Sequence, residues 1–234
     1  MLEIQNIHSY YGSSYILQGI SLRAEAGEVV SLIGRNGAGK STTLKSIMGI
    51  VKPAEGSVRF KEMEICGLKP FRIARLGLGY VPEDRRIYPG LTLRENLEVG
   101  RIKPTSGEKM WTLEKVFQLF PHLRALGEKR LGSNMSGGEQ QMLAIARTLM
   151  GNPEFILLDE PSEGLAPLVV ASLAEAVNQI KSRGISMLLS EQNMRFAKKT
   201  TTRTYVIDGG RITFEGTIEE LMGDEDLLRQ HITL

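Results

Sequence analysis

The run Gly34-Arg35-Asn36-Gly37-Ala38-Gly39-Lys40-Ser41 follows the apolar stretch Val29–Ile33 directly. It has the G-x-x-x-x-G-K-S/T spacing of a loop that wraps phosphates. The glycines let the backbone close in, the loop N–H groups point inward, and the helix that follows presents its positive end. Lys40 adds a point charge at the β- and γ-phosphates, and Ser41 offers a hydroxyl to Mg2+. The expected nucleotide contacts are therefore Gly34, Arg35, Asn36, Gly37, Ala38, Gly39, Lys40, Ser41 and Thr42.

A second run, Phe155-Ile156-Leu157-Leu158-Asp159, sets a carboxylate at the carboxyl end of an apolar strand, where open α/β sheets bind their ligands. Asp159 is the expected second anchor of Mg2+, partly through water. Glu160 follows at once, within reach of a water attacking the γ-phosphate, and is the expected general base or water-orienting group. Between the two runs lies Asn134-Met135-Ser136-Gly137-Gly138-Glu139-Gln140-Gln141. In isolation Ser136 with Glu139 three residues later is a helix cap. A Ser hydroxyl beside the N–H groups of Gly137 and Gly138 at a helix start is also an anion site.

These residues need a frame that holds them. Short β-type runs occupy the first 35 residues (Leu2–Ile7, Ile20–Ala24, Val29–Ile33), and a helix should open at Lys40 and end near Gly49. Residues 57–60 and 78–81 read as strands. From Thr92 to about Met150 the apolar spacing turns helical, with loops near Pro104–Gly107 and Gly132–Asn134. Strands and helices then alternate: Phe155–Leu158, a helix from Pro167 to Lys181, Ile185–Leu189, a helix over Asn193–Lys199, strands Thr204–Ile207 and Arg211–Phe214, and a short helix from Thr217. Continuous apolar strands between helices predict a mostly parallel sheet covered on both faces.

Composition narrows the partners. With 29 Lys and Arg against 27 Asp and Glu, and no basic block, nucleic acid is not the expected partner. Cys66 is the single cysteine, which excludes an internal disulfide and a multi-cysteine metal site. No stretch approaches the roughly 18 consecutive apolar residues of a membrane span, and the N-terminus lacks the pattern of a signal peptide, so a cytoplasmic location is expected.

The order of the three motifs resembles that of the ATP-binding-cassette (ABC) ATPases. The resemblance implies an ATP hydrolase whose two subunits face head to tail, with Ser136, Gly137 and Gly138 closing over the γ-phosphate held by the partner's loop. It implies that Tyr11 stacks on adenine, with Tyr10 as a competitor, and that Pro161–Pro167 is the D-loop, although Ala166 stands where Asp is usual. Two further positions depart from the common pattern. Glu83 replaces the Q-loop glutamine and can still contact Mg2+-bound water, while Gln192 replaces the switch histidine. Gln192 can donate a neutral hydrogen bond to a γ-phosphate but cannot become cationic. The three histidines, His8, His122 and His231, lie outside every motif and read as structural or solvated.

Both departures, together with VPEDRR, MSGGEQQMLAIAR and the GLAP of the D-loop, make residues 3–223 similar to the LivF-type ATPase subunits of branched-chain amino-acid importers. This implies an α/β fold: an ABC-type P-loop NTPase core with a mostly parallel sheet, an N-terminal antiparallel β subdomain and an inserted helical subdomain. The expected organisation is a single ABC ATPase domain, with residues 1–91 and 151–234 as nucleotide-binding core and 92–150 as the helical insertion. The implied partners are membrane permease subunits, a second ABC ATPase subunit and, indirectly, a periplasmic solute-binding protein. The chain would then sit peripherally at the inner face of the cell membrane. In relatives the groove near Glu83–Pro89 receives a short permease helix, to which Tyr88, Pro89 and Leu91 would offer apolar contact and Arg85 and Arg86 charge. Urea or amide import and lipid or lipopolysaccharide export are the alternatives, and Glu163, where LivF-type chains usually carry Leu, keeps the urea reading open. A nucleic-acid-acting cassette would show a long coiled-coil insertion or a second cassette, and a non-hydrolysing module would lack the carboxylate at 160.

Overall fold

The computed structural model describes residues 1–102 and 110–231; the loop expected near Pro104–Gly107 and the side chain of His231 lie outside what it describes. In chain order the elements are β1 (Leu2–Tyr11), β2 (Ser14–Ala24), β3 (Val29–Ile33), α1 (Lys40–Ile47), β4 (Glu55–Phe60), β5 (Met63–Glu64), α2 (Pro70–Arg75) and β6 (Leu78–Val81). Four helices follow, α3 (Leu93–Val99), α4 (Leu113–Leu119), α5 (Pro121–Leu126) and α6 (Gly137–Leu149). The chain continues through β7 (Phe155–Asp159), α7 (Pro167–Ser182), β8 (Ser186–Glu191), α8 (Met194–Thr200), β9 (Arg203–Asp208), β10 (Arg211–Thr217), α9 (Ile218–Gly223) and α10 (Glu225–His231).

The strands form two sheets. One is antiparallel, in the order β2-β1-β4-β5; the other has the order β10-β9-β3-β8-β7-β6 and is parallel except at the β9–β10 pair. Side chains alternate across the pleat, so the parallel sheet feeds two cores. Val29, Ile156, Leu158, Met187 and Leu189 pack with helices α3 to α7, whereas Val30, Leu32, Phe155, Leu157 and Leu188 pack with α1 and the antiparallel sheet. Burial on both faces is why β3 and β7 read as unbroken apolar runs.

The fold class agrees with the sequence expectation, and the differences are local. β1 and β2 run on past the expected ends to a turn at Gly12, because register shifts between Ile4 and Ile7 and between Ser9 and Tyr10 break the strict alternation that marks a strand. β5 and α2 were not read: a two-residue strand and a six-residue helix with Ile73 as its one buried residue carry too little periodicity.

The parallel register aligns the carboxyl ends that matter. Ile33 pairs with Glu191, and Asp159 pairs with Ser190. The phosphate loop, Glu160 and Gln192 therefore leave the sheet at the same end, the carboxyl ends of its inner strands.

Candidate functional site

The phosphate loop is shaped by its glycines. Gly37 and Gly39 have φ of +80° and +113°, a region L side chains avoid, and Gly39 hands the chain to α1 at Lys40. A Cβ on Gly34 would lie 2.4 Å from the Ile207 carbonyl oxygen, so the loop rests directly on the end of β9. The turn between β9 and β10 supports it from below, since Gly210 N–H donates to the Ala38 carbonyl at 3.0 Å. The sequence places Asp208-Gly209-Gly210 between two strands, but nothing local shows what this segment props up.

Lys40 is buried, and its Nζ donates to the carbonyls of Gly34 and Arg35 at 2.8 and 2.9 Å. It also pairs with Glu160 Oε1 at 3.0 Å. The other carboxylate oxygen of Glu160 accepts from Gln192 Nε2 at 2.9 Å, and the same Gln192 amide donates to Asn36 in the loop. Lys40, Glu160, Gln192 and Asn36 thus form one connected set. Glu160 has φ +45°, a strained backbone for a side-chain-bearing residue.

Asp159 is buried and accepts from three hydroxyls. Ser41 Oγ donates to Oδ1 at 2.8 Å, Ser190 Oγ to Oδ1 at 2.7 Å, and the Tyr80 hydroxyl to Oδ2 at 3.0 Å. Burial, then the Asp159 charge, pushes the Tyr80 phenol far up, so Tyr80 stays a neutral donor. A carboxylate beside a Ser hydroxyl is a hard-oxygen donor pair that fits a small divalent cation such as Mg2+. Tyr80 and Ser190 were missed from sequence, since their contacts cross the sheet.

Glu83, expected near the metal, is exposed and makes no side-chain hydrogen bond among the described residues. Its link to the site is electrostatic: burial first, then Glu160 and Glu83, raise the Glu163 carboxyl above its ordinary range. At the adenine position, Tyr10 stacks on Tyr15 with centroids 4.6 Å apart, and Tyr15 stacks on His8. Tyr11 is 47% exposed and has no ring partner among the described residues. Thr42 is buried in the first turn of α1, and Arg35 reaches away from the loop to the Arg229 carbonyl at 3.3 Å.

The signature run lies at the start of α6. Ser136 caps the helix, accepting from Glu139 N–H at 3.4 Å while Glu139 accepts from Ser136 N–H at 2.6 Å. Both of its glycines are closely packed, Gly138 against the stiffer neighbour. A Cβ on Gly138 would meet Val169 Cγ1 at 2.7 Å, and one on Gly137 would meet an Arg85 guanidinium nitrogen at 2.9 Å.

A phosphate loop facing a strand-end Asp-Glu pair across a parallel sheet defines a P-loop nucleotide hydrolase. The family model described as ABC transporter matches residues 17–163, and the chain belongs to that family. It is 42% identical over 217 residues to the high-affinity branched-chain amino acid transport ATP-binding protein BraG of Pseudomonas aeruginosa, covering 93% of each chain. It is 32% identical over 237 residues to the lipopolysaccharide export system ATP-binding protein LptB of Haemophilus influenzae, covering 99% of this chain and 97% of that one. Among solved structures it superposes on a nucleotide-free ATP-binding cassette from an ABC transporter with TM-score 0.83 and 29% identity, covering 97% of each. The chain is an ATP-hydrolysing ABC transporter subunit.

Proposed function

We propose that the chain powers import of branched-chain amino acids, with MgATP held by the phosphate loop, Ser41 and Asp159. The observation that carries this reading is the 42% identity with BraG over 93% of both chains, against 32% with LptB. The replacements Glu83 and Gln192, which the chain shares with the LivF pattern, point the same way.

Catalysis is positioning plus charge stabilisation of an in-line phosphoryl transfer. Lys40 leaves Glu160 Oε1 for the β/γ-phosphates, which frees the carboxylate to orient water. Gln192, already on Glu160, supplies a neutral donor to the γ-phosphate. Ser41 and Asp159 would hold Mg2+, which would supply positive charge to the phosphate oxygens. Tyr11 is the adenine platform, because Tyr10 is committed to its stack on Tyr15. Ser136, Gly137 and Gly138 complete the site of a second ATPase subunit. A bacterial ABC transporter cassette of TM-score 0.78 and 25% identity is dimeric, which supports this pairing. Permease subunits anchor the pair at the inner face of the membrane, and a periplasmic solute-binding protein delivers the cargo. Among the described residues no helix is long and apolar enough to cross a membrane.

The test is to purify the membrane complex through a tag on this chain, reconstitute it, and measure ATP-dependent uptake of labelled leucine, isoleucine and valine. Uptake of urea or short amides instead, or extraction of lipopolysaccharide, would replace the cargo assignment.

A further inference from the structure

The end of β8 holds the end of β7 residue by residue. Ser190 donates its hydroxyl to Asp159 Oδ1 at 2.7 Å, and its carbonyl and Oγ both accept from Glu160 N–H at 3.0 Å. Gln192 donates to the Glu160 carboxylate at 2.9 Å. Between them Glu191, 2% exposed, turns its carboxylate to the D-loop. Its Oε1 accepts from Ser162 N–H at 3.0 Å, and its Oε2 accepts from Ser162 Oγ at 2.9 Å and from Asn193 N–H at 3.2 Å.

We infer that Glu191 is a positioning residue for ATP hydrolysis: by fixing Ser162 against Asn193 it holds the strained Glu160 and its partner Gln192 in their working arrangement. Glu160 sits at φ +45°, and such a conformation persists only where its surroundings over-determine it. Ser190 fixes the peptide on its amino side. Glu191 fixes the chain two residues beyond, and Asn193, the N-cap of α8, is tied by the same carboxylate. Three converging donors from two segments need two acceptor oxygens on one side chain, which only a carboxyl supplies in full. A buried carboxyl is otherwise costly, so its presence here calls for those donors.

The assignment rests on Glu160 being the water-orienting carboxylate, and the experiment separates the two. Steady-state hydrolysis and fluorescent-nucleotide binding are measured on the transporter complex carrying Glu160→Gln, Glu191→Asp or Glu191→Gln. Glu191→Asp keeps the carboxyl group but retracts it from Ser162. It should lower kcat about tenfold or more, with KM for ATP within about threefold. Glu191→Gln keeps the reach and accepts from Ser162 N–H, but its amide turns a donor toward Asn193 N–H, so its kcat should fall between those of the parent and Glu191→Asp. A Glu191→Asp variant as fast as the parent overturns the proposal. So do equal losses in both Glu191 variants, or a KM that rises in step with the fall in kcat. Should Glu191→Asp fail to fold, the cycle of Glu191→Gln with Ser162→Ala decides. Losses that combine less than additively support the shared contact, and strictly additive ones overturn it. Normal hydrolysis by Glu160→Gln would sink the underlying reading instead, whatever the Glu191 variants do.

Discussion

Lys40 is a buried ammonium held by two carbonyls and one carboxylate, so its two roles can be separated by substitution. Lys40→Ala should weaken nucleotide binding itself, and it leaves Glu160 buried beside no cation. Glu160→Gln should bind MgATP normally, lose about 10² or more in turnover, and dimerise more readily with MgATP. Equilibrium binding, a phosphate-release assay and sedimentation check the pair; unchanged hydrolysis in Glu160→Gln would remove it from the chemistry. Gln192 carries no titrating group, so the rate-versus-pH profile should show no limb from an imidazole at that position. Gln192→Ala should lower kcat more than affinity, and an alanine variant as fast as the parent would deny it a role. A pH effect on stability belongs to Glu191, whose carboxyl burial pushes up to about 7 from an ordinary 4.5. Between those values the folded chain keeps a proton that the unfolded chain has released, so this group's contribution to stability falls as pH rises through the interval. Thermal melts from pH 5 to 8 should therefore show a shallower decline for Glu191→Gln than for the parent.

Among the elements, α6 shows how a motif serves chemistry and packing together. Ser136 and Glu139 cap the helix reciprocally, leaving Gly137 and Gly138 as backbone, and the start of α7 closes on them. Gly138→Ala should destabilise by about 1–3 kcal/mol through the Val169 contact, and Val169→Ala in the same chain should recover part of it. Denaturant melts of the single and double variants test this; an unchanged Gly138→Ala would mean that α7 yields freely. The cap, the loop and the Asp159-Glu160 pair were legible in sequence because phosphate and metal chemistry dictates residue type and short spacing. So were β3 and β7, whose burial on both faces leaves an unbroken apolar run. Tyr80 on Asp159, Ser190 on Asp159 and Glu191 on Ser162 were not, because those contacts come from parallel strand register and join residues far apart in sequence. The strained pair Arg85 and Arg86, at φ +60° and +45°, was likewise invisible, since Arg gives no signal for left-handed backbone.

At the scale of the whole molecule, the proposed transport requires hydrolysis at the carboxyl end of the sheet to be felt by a permease, and the segment from Glu83 to Leu91 is the proposed connection. Arg147 of α6 donates to the Arg86 carbonyl at 2.7 Å and the Arg85 carbonyl at 3.3 Å, and its guanidinium lies 5.1 Å from the Tyr88 ring centroid. The same helix begins at the signature run, so the bend at Arg85 and Arg86 is tied to the element that carries that run. The Tyr88 backbone is fixed separately. Buried Asn96 accepts from Tyr88 N–H at 2.8 Å and donates to the Tyr88 carbonyl at 3.0 Å, leaving the ring 47% exposed. An exposed ring on a fixed backbone suits contact with a permease helix, where an aromatic anchor contributes most. Tyr88→Asp keeps the Asn96 bonds, gives Arg147 a carboxylate in place of the ring, and lies outside the set around Lys40 and Glu160. Basal hydrolysis of the isolated subunit should therefore stay near the parent's, while the reconstituted transporter should lose uptake. The measurement is ATPase rate and solute uptake on the same preparations, with complex integrity checked by gel filtration. Uptake that survives in an intact complex would place the permease contact elsewhere on the chain.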